Sequence, residues 1–273
     1  MKSFCYRMVT VAGLGLFSSG CAVDALEDEL PTAPRLSAMD GPDGRIYMNG
    51  LHPRVYQTTR GALDQLMNTA LPHQGMAGVN PHFDALLDIN EGSKVLNYAI
   101  ECALPALQEY GDFTGAGIMT TTSSWLSGPL NPQQRNDLHT CITTRLNPHS
   151  EPVPIWGGGP NTAKSSSSDD YEYSEAVWSV TVGELGVSVS VWPSNTFQLK
   201  GNCGSTDIEW DFNTRICDND PSLCGITLRT DFDTACVGER GEGNIICDGK
   251  PAIETKLNRN EWNIVHSEVC SID

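Results

Sequence analysis

Cysteine is the residue type that most restricts what this chain can fold into. Eight of the ten cysteines lie beyond residue 100. They are Cys102, Cys141, Cys203, Cys217, Cys224, Cys236, Cys247 and Cys270. An even count without any Cys-x-x-Cys spacing is typical of disulfides in an oxidising compartment, and untypical of zinc, haem or thioredoxin-like sites. We therefore expect four disulfides, and neither a metal nor a cofactor.

The pairing of these cysteines follows from sequence at one place only. Cys102 and Cys141 are the two in the part of the chain with helical patterns, so we expect them to pair. A bridge across 39 positions would stabilise the fold by ~4 kcal/mol in the chain-entropy model. The six cysteines of the C-terminal third have fifteen possible pairings, and all of these stay open.

The N-terminus has the layout of a secretory signal. Lys2 and Arg7 precede an apolar run at residues 8–17, and small residues follow it up to Cys21. The run is too short to span a bilayer as a helix, which needs about 20 residues. We expect residues 1–20 to be removed, so that the mature chain leaves the cytoplasm.

The residues before Cys21 resemble a bacterial lipobox, in which cleavage leaves an N-terminal cysteine that is then lipidated. Ser19 and Gly20 fit this pattern, whereas Ser18 stands where leucine is usual. Ala22 follows the cysteine in place of aspartate, which in lipoproteins implies the outer membrane. We expect a membrane anchor at Cys21, and the alternative is ordinary cleavage a few residues later with release of the chain.

Composition divides the mature chain into three parts. Residues 21–46 begin with an acidic stretch and contain three prolines, so we interpret them as a flexible tether after the lipidated cysteine. Residues 47–150 carry helical patterns, and residues 151–273 carry strand patterns and six cysteines. The expected fold class is α+β, with a small disulfide-stapled helical part packed on a β-rich, disulfide-dense part. One continuous domain comprising both parts is compatible with the pattern.

Three segments have helical periodicity. Thr58 or Thr59 is expected to cap the first helix, and the second runs from about Ser93 until Pro105 breaks it. The third helix has the clearest start, because Asn131 is a good N-cap and a proline follows it at the first helical position.

Beyond residue 170 the apolar period changes to two. Val180 and Val189 lie in two alternating segments that flank a turn at residues 183–186, which predicts a β-hairpin with one buried face. Trp178 shares the register of Val180, so we expect it in the core. From Cys203 to Cys270 the sequence predicts short strands and turns.

Net charge and the absence of common catalytic motifs limit the functions that the sequence supports. Thirty-four acidic against seventeen basic residues give a net charge of −17, which repels nucleic acids, so we expect no nucleic-acid partner. The chain has no His-Glu-x-x-His, Gly-x-Ser-x-Gly or Ser-x-x-Lys motif and no glycine-rich phosphate loop. A triad of distant residues stays open. Its histidine would come from the set His52, His73, His82, His139, His149 and His266.

The sequence offers two possible binding chemistries. Acidic residues between Asp207 and Asp233 offer oxygen ligands for calcium, but Phe212 stands at the EF-hand position that requires glycine, which favours solvated turn residues. Tryptophan side chains on a rigid sheet bind sugars or peptides when they are exposed, and core packing is the default expectation. The tryptophans are Trp125, Trp156, Trp178, Trp192, Trp210 and Trp262.

Several short motifs occur in an order that resembles one protein family. They are Glu101–Pro105, Trp125–Leu130, Gln134-Arg135, Cys141, Pro152–Ile155 and Cys217–Gly225, with Met48–Leu51 as a single remnant of a Leu-Asn-Gly repeat. Over roughly residues 90–250 the chain thus resembles the uncharacterised secreted lipoproteins that occur as many paralogues in myxobacteria and related bacteria. The chain departs from that pattern at Asn136-Asp137, where an aromatic residue is usual, so the third helix is expected to pack differently. The resemblance implies export and disulfides, and no catalytic residue.

The expected function is that of a non-catalytic, exported cell-envelope lipoprotein at the outer membrane or cell surface, or otherwise secreted. Its partners would be the membrane, through Cys21, and an extracellular protein or glycan. The alternative is a secreted hydrolase with a non-local catalytic site. Two converging carboxylates, or a histidine beside a nucleophile in an open pocket, would favour the hydrolase. An exposed aromatic patch would favour binding.

Overall fold

The alternation of valine with serine and threonine produces the expected β-hairpin, which forms the centre of the fold. Strand Tyr173–Gly183 pairs antiparallel with strand Gly186–Pro193. Val180 lies opposite Val189, so apolar side chains are stacked on one face of the sheet. Gly186, the first residue after the connecting turn, has a φ of 102°, a value that favours glycine.

The structure is a computed structural model that describes residues 46–71, 80–148, 152–163, 170–194, 216–217, 224–241 and 244–270. The described strands are β1 (Ile46–Met48), β2 (Glu109–Tyr110), β3 (Phe113–Thr114), β4 (Pro154–Gly158), β5 (Tyr173–Gly183), β6 (Gly186–Pro193), β7 (Ile226–Leu228), β8 (Cys236–Val237), β9 (Ile246–Cys247), β10 (Lys250–Pro251) and β11 (Ile253–Leu257). The described helices are α1 (Pro53–Met67), α2 (Pro81–Leu87), α3 (Gly92–Ala103), α4 (Pro132–Thr143), α5 (Phe232–Ala235) and α6 (Arg259–Cys270), with a 3₁₀ helix at Ser123–Leu126. The fold class is therefore α+β, as the sequence predicts.

The main sheet joins strands from both ends of the chain. Its six strands have the order β1-β4-β11-β5-β6-β7, and every neighbouring pair is antiparallel except β6 and β7. β1 begins at the end of the expected tether and lies beside β4, whereas the central strand β11 comes from the last part of the chain. The helical and the β-rich parts therefore share one sheet.

Helices α1, α3 and α4 cover one face of this sheet. Their buried side chains, such as Leu63, Leu96 and Leu138, form one apolar cluster with Trp178 and Val180 of β5. Burial of each such side chain contributes about 1.5–3 kcal/mol. This face therefore carries most of the hydrophobic stabilisation among the described residues.

Helix α4 also closes an open edge of the sheet. β11 pairs only with the first half of β5, so the later backbone N–H groups of β5 need other acceptors. Val180 N donates to Thr140 Oγ1 at 3.1 Å, and Val182 N donates to Asn136 Oδ1 at 2.8 Å. A buried N–H without an acceptor costs about 1–3 kcal/mol, so these two side chains replace a missing strand.

The opposite face of the sheet has a smaller cover. The three-stranded sheet β10-β9-β8 lies over it, and Ile245 and Cys247 form a second cluster with Val177 and Trp192. Beside this cluster the buried carboxylate of Glu254 accepts hydrogen bonds from Ser174 Oγ and Gly241 N. We call this three-stranded sheet with α5 the disulfide lobe.

Three disulfides join described cysteines. Cys102–Cys141 links α3 to α4, which confirms the expected pairing. Cys217–Cys224 and Cys236–Cys247 lie in the C-terminal part, and the second joins directly opposed residues of β8 and β9. Cys203 and the side chain of Cys270 lie outside the described residues, so their oxidation stays a prediction.

Two local expectations were wrong. Helix α1 begins at Pro53, with His52 Nδ1 accepting a hydrogen bond from Arg54 N, and Thr58 and Thr59 lie inside the helix, where their hydroxyls donate to carbonyls one turn back. A threonine can satisfy its hydroxyl inside a helix in this way, so it does not always mark a start.

The last segment is also helical rather than composed of strands and turns. Helix α6 follows Asn258, whose Oδ1 accepts hydrogen bonds from Asn260 N and Glu261 N. Trp262 packs against the main core from this helix. Asparagine is a common N-cap residue, but the many turn-forming residues before Asn258 favoured a prediction of strands and turns.

The second and third helices predicted from the sequence correspond to α3 and α4. α3 ends two residues before Pro105, and α4 begins at Pro132 behind the cap Asn131. In the described part of the chain, none of the helices is both long and apolar enough to cross a membrane.

Candidate functional site

Helix α4 carries several buried polar side chains, and a capping box fixes its start. Asn131 Oδ1 accepts from Gln134 N at 3.0 Å, while Gln134 Oε1 accepts from Asn131 N at 2.9 Å. This reciprocal capping box satisfies two backbone donors at once. The residues from Asn136 to Thr143 are all buried, so each polar side chain among them requires a partner inside the protein.

One side of α4 presents a buried polar network to α1. Tyr56 Oη and His139 Nδ1 are 3.1 Å apart, and Arg135 Nη1 donates to both carboxylate oxygens of Asp64 at 3.0 Å. His139 Nε2 lies 3.6 Å from Asp64 Oδ1, which is too long for a hydrogen bond. The network thus joins the two helices through a tyrosine, a histidine and an ion pair.

Burial controls the protonation of this network. It lowers the pKa of His139, and attraction to Asp64 only partly offsets this effect. Burial alone would raise the pKa of Asp64, but His139 and Arg135 together hold it below its usual value. His139 is therefore a neutral imidazole at neutral pH, and Asp64 is a carboxylate paired with Arg135.

The network contains residue types that occur in catalytic sites, but a substrate has no access to it. The histidine side chain is 0% exposed, and those of Asp64 and Arg135 are 13% and 15% exposed. A substrate cannot reach the imidazole without separating α1 from α4. We therefore assign Tyr56, His139, Asp64 and Arg135 to the α1–α4 contact.

A second buried charge lies just beyond the C-terminal end of α4. Arg145 is fully buried between the rings of Tyr47 and Tyr98, with its guanidinium carbon 4.8 and 4.6 Å from their centroids. Its Nη1 forms an ion pair with Glu101, next to the disulfide at Cys102. This arrangement clamps β1, α3 and the end of α4 together, and it serves the fold.

The opposite side of α4 presents a different carboxylate, that of Asp137. Its Oδ2 accepts hydrogen bonds from Thr121 Oγ1 and Asn161 Nδ2, both at 2.9 Å, and its Oδ1 accepts one from Gln133 Nε2 at 2.8 Å. All three donors are neutral. Among the described residues no Lys, Arg or His forms an ion pair with Asp137.

Asp137 lines a small cleft between α4, the loops that contain Met119 and Asn161, and the junction of β10 and β11. The lining residues are Met119, Asp137, Thr140, Asn161, Pro251, Ala252 and Ile253. The cleft as a whole has room for about one water molecule. We call it the Asp137 cleft.

The loops that form the cleft are held rigidly. Thr120 N donates to Asn161 O at 2.9 Å, and Ala163 N donates to Ile118 O at 2.8 Å, so the two loops pair like short strands. A Cβ atom at Gly159 would lie 2.4 Å from Ala252 O, so the close approach of the two backbones requires glycine. The position of Asn161 beside Asp137 is therefore fixed by backbone packing.

The chemistry of the Asp137 cleft follows from burial without a counter-charge. Burial raises the pKa of the Asp137 carboxyl, and the hydrogen bonds from Gln133, Thr121 and Asn161 only partly oppose this shift. A raised pKa in a cleft is a signature of functional carboxyl groups. Such a group is able to accept a hydrogen bond from a cationic ligand or to exchange a proton with one.

The other candidate residues that the sequence predicts are dispersed in the structure. His52 caps α1 and His82 lies in the first turn of α2, whereas His73, His149 and the side chain of His266 lie outside the described residues. Trp125, Trp156, Trp178 and Trp192 are buried, which confirms core packing for them. Trp262 is half-buried and stacks on Tyr173 with ring centroids 5.4 Å apart. Trp210 lies outside the described residues.

The acidic residues proposed for calcium lie mostly outside the described residues, including Asp207, Glu209, Asp211, Asp218 and Asp220. In the part that the structure describes, no three His, Cys, Asp or Glu side chains come together in a way that could hold a metal.

Of the described acidic residues, Asp231 is engaged elsewhere. It forms an ion pair with Arg229 and accepts a hydrogen bond from Trp192 Nε1. The proposed calcium ligand set therefore gains no support at this position.

No family model, curated protein or solved structure matches the chain. The resemblance to secreted lipoproteins stays an expectation from short motifs. The structure itself is the basis for any functional assignment.

Sequence inspection missed Asp137 as a candidate, although a signal was present. The lipoproteins that the chain resembles usually have an aromatic residue after the Gln-Arg pair, whereas this chain has the polar pair Asn136-Asp137. In the structure Asn136 closes the edge of β5 and Asp137 lines the cleft. Buried polar residues that replace apolar ones require partners, and searching for those partners would have led to this site.

Proposed function

We propose that this protein is an exported lipoprotein of the cell envelope that binds a partner through its folded domain. Three disulfides among the described cysteines are the observation that carries export. Disulfides persist in oxidising compartments and are rare in the cytoplasm. The signal-like residues 1–20 and the lipobox at Cys21 support the same route and add a membrane anchor.

Support for binding comes from the Asp137 cleft. Three neutral donors hold the carboxylate in one orientation, and paired loops hold the walls. A preorganised carboxylate loses little entropy when a group no larger than a water molecule binds beside it.

Hydrolysis is the second candidate, and one observation favours it. The raised pKa of Asp137 suits a general acid. Hydrolysis of glycosides typically requires two carboxyl groups across the scissile bond, and Asp137 is the one ionisable residue among the described residues that line the cleft. We therefore place binding first.

The test of the proposed function is fractionation of the producing cells with alkylation of free thiols before lysis, followed by intact-mass measurement. We expect the protein in the membrane fraction, with a lipid mass on Cys21 and no alkylation at Cys102, Cys141 or Cys236. The variant Cys21→Ala should move to the medium or periplasm with its disulfides intact. An unprocessed cytoplasmic chain with alkylated thiols would contradict the proposal.

A further inference from the structure

The disulfide Cys236–Cys247 is the most accessible of the described bridges. Cys236 is 9% exposed, whereas the other bonded cysteines of the described structure are all 0% exposed. It lies in β8, an edge strand of the three-stranded sheet with the order β10-β9-β8. A disulfide breaks when a thiolate reaches one of its sulfurs, so exposed bridges are the labile ones. We therefore expect a reductant to reach this bridge before the others.

The strand register determines which sulfur is attacked. Cys236 lies directly opposite Cys247, so the bridge crosses from the edge strand β8 to the middle strand β9. The edge sulfur faces the outside of the lobe, while Cys247 is buried between its neighbours. Cys236 Sγ is therefore the sulfur for an external thiolate, and Cys247 is the leaving group.

The apolar cluster under the lobe is small without this bridge. Its buried members in the described structure are Val177, Trp192, Cys236, Ile245, Cys247 and Ala252. Val177 and Trp192 belong to β5 and β6 of the main sheet, and two of the others are the bonded cysteines themselves. Regions with few buried apolar contacts open locally at a low cost in free energy. The lobe thus depends on its bridge to stay closed.

Other links between the lobe and the main sheet are polar and partly exposed. Arg240 Nη2 donates to Trp192 O and Pro193 O, both at 3.3 Å, and Arg229 forms an ion pair with Asp248. The Arg229 and Asp248 side chains are 29% and 48% exposed, and exposed ion pairs stabilise proteins little. These contacts position the lobe but do not replace a covalent bond.

We propose that Cys236–Cys247 is a redox switch, whose reduction by a dithiol opens the disulfide lobe and uncovers the main sheet at Val177 and Trp192. One thiolate of the reductant attacks Cys236 Sγ and releases Cys247 as a thiolate, which takes up a proton. The second thiol of the reductant loses its proton and displaces Cys236 from the mixed disulfide. The reductant thereby becomes a disulfide and the protein gains two thiols.

This inference builds on the proposed export, since the bridge first has to form in an oxidising compartment. The closed, oxidised lobe is then the resting state. The bridge Cys102–Cys141 is the internal control, because it joins α3 to α4 inside the large apolar cluster and both of its cysteines are 0% exposed.

The experiment treats the full mature protein with dithiothreitol at neutral pH without denaturant. Samples taken over time are alkylated, and peptide masses report the reduction of each cysteine. We expect Cys236 and Cys247 to be reduced at least about tenfold faster than Cys102 and Cys141, because local opening precedes global unfolding. Reduction of both bridges at equal rates would overturn the proposal.

Hydrogen exchange on the same samples shows whether reduction opens the lobe. We expect amides of β8, β9 and β10 to lose protection while those of α4 keep it, and oxidised glutathione should restore the protection. A reduced lobe that keeps its protection, or a loss of protection in α4 at the same time, would contradict a switch.

Two double variants assign the response to this bridge. Cys236→Ala with Cys247→Ala represents the open state, so dithiothreitol should cause no further exchange in the lobe. Cys102→Ala with Cys141→Ala should keep the response of the wild-type protein. A lobe response that survives the first pair of changes would arise from another bridge and would sink the proposal. If either variant fails to fold, the reduction rates of the wild-type protein decide. Fractionation tests export separately, so a failed switch would leave that assignment standing.

Discussion

The two faces of the main sheet are stabilised in different ways. The helix-covered face buries a continuous apolar cluster that includes Leu63, Ile100, Ile142 and Trp178, and its disulfide at Cys102–Cys141 adds to a core that is already large. The disulfide lobe covers a cluster with six buried members in the described structure, two of them bonded cysteines. Small cores need covalent staples because they bury too little apolar area. The comparison teaches that a disulfide adds stability to an already large core on the helix-covered face, whereas in the disulfide lobe it replaces part of a core that is too small.

The largest expected effect comes from removing a core side chain on the helix-covered face. Trp178→Ala should lower the free energy of unfolding by about 3–5 kcal/mol, since the cavity lies at the centre of the apolar cluster. Trp192→Ala is the matched change under the disulfide lobe, and it should cost less because that smaller cover can collapse or open locally. Chemical denaturation of both variants checks the order. A larger cost for Trp192 would reverse the comparison.

Removing the disulfides should give the next largest effects. Cys102→Ala with Cys141→Ala opens a closure across 39 positions and should cost about 4 kcal/mol. Cys236→Ala with Cys247→Ala opens one across 11 positions and should cost about 3 kcal/mol. Urea denaturation under non-reducing conditions measures both losses. Equal insensitivity of the protein to both changes would contradict the assigned roles.

The pH dependence of unfolding should distinguish two carboxyl groups of the helical layer, because their folded-state pKa values are shifted in opposite directions. The folded-state pKa of Asp64 is lowered, so its stabilisation is present above the unfolded pKa and is lost as pH falls through the folded value. Asp64→Asn should cost about 2 kcal/mol at neutral pH, because Arg135 then lies largely buried without its partner.

Asp137 should behave in the opposite sense. Its folded-state pKa is raised, so the fold loses stability as pH rises from the unfolded to the folded value. Asp137→Asn should remove this loss, so the stability of the variant relative to the wild-type protein should increase from acid to neutral pH. Thermal unfolding followed from pH 3 to pH 8 separates the two variants. Parallel pH profiles for both would show that one of the two assignments is wrong.

The smallest expected effect concerns the helix cap. Asn131→Ala removes the side chain that accepts from Gln134 N and should cost about 1 kcal/mol. Asn131→Gly should lower the free energy of unfolding by only a few tenths of a kcal/mol, since glycine tolerates the cap conformation. Equilibrium denaturation of the pair distinguishes a cap from a general packing contact. Equal losses in both variants would point to packing.

Much of the fold was predictable because it depends on local patterns. The hairpin around Val180 and Val189, the cap at Asn131 and the Cys102–Cys141 pair all follow from spacing or residue type. The position of β1 beside β4 did not follow, since pairing across more than 100 residues leaves no periodic signal. The long-range order of the sheet was therefore beyond the sequence.

The candidate site was predictable only in part. Asn136-Asp137 stood out only as a departure from the motifs of the lipoproteins that the chain resembles, and the partners of Asp137 come from residues 121, 133 and 161. Two of these lie in loops whose placement depends on the close packing of Gly159 against Ala252. Sequence patterns do not encode that approach, so the cleft became visible only in three dimensions.

The most direct test of the two-face account is hydrogen exchange of the Cys236→Ala, Cys247→Ala variant, compared with the wild-type protein. We predict that amides in β8, β9 and β10 lose their protection, while those of α4 and β5 retain it, because the helix-covered core does not depend on the lobe. Loss of protection in α4 and β5 to the same extent would contradict the account, and so would a lobe that keeps its protection without the disulfide.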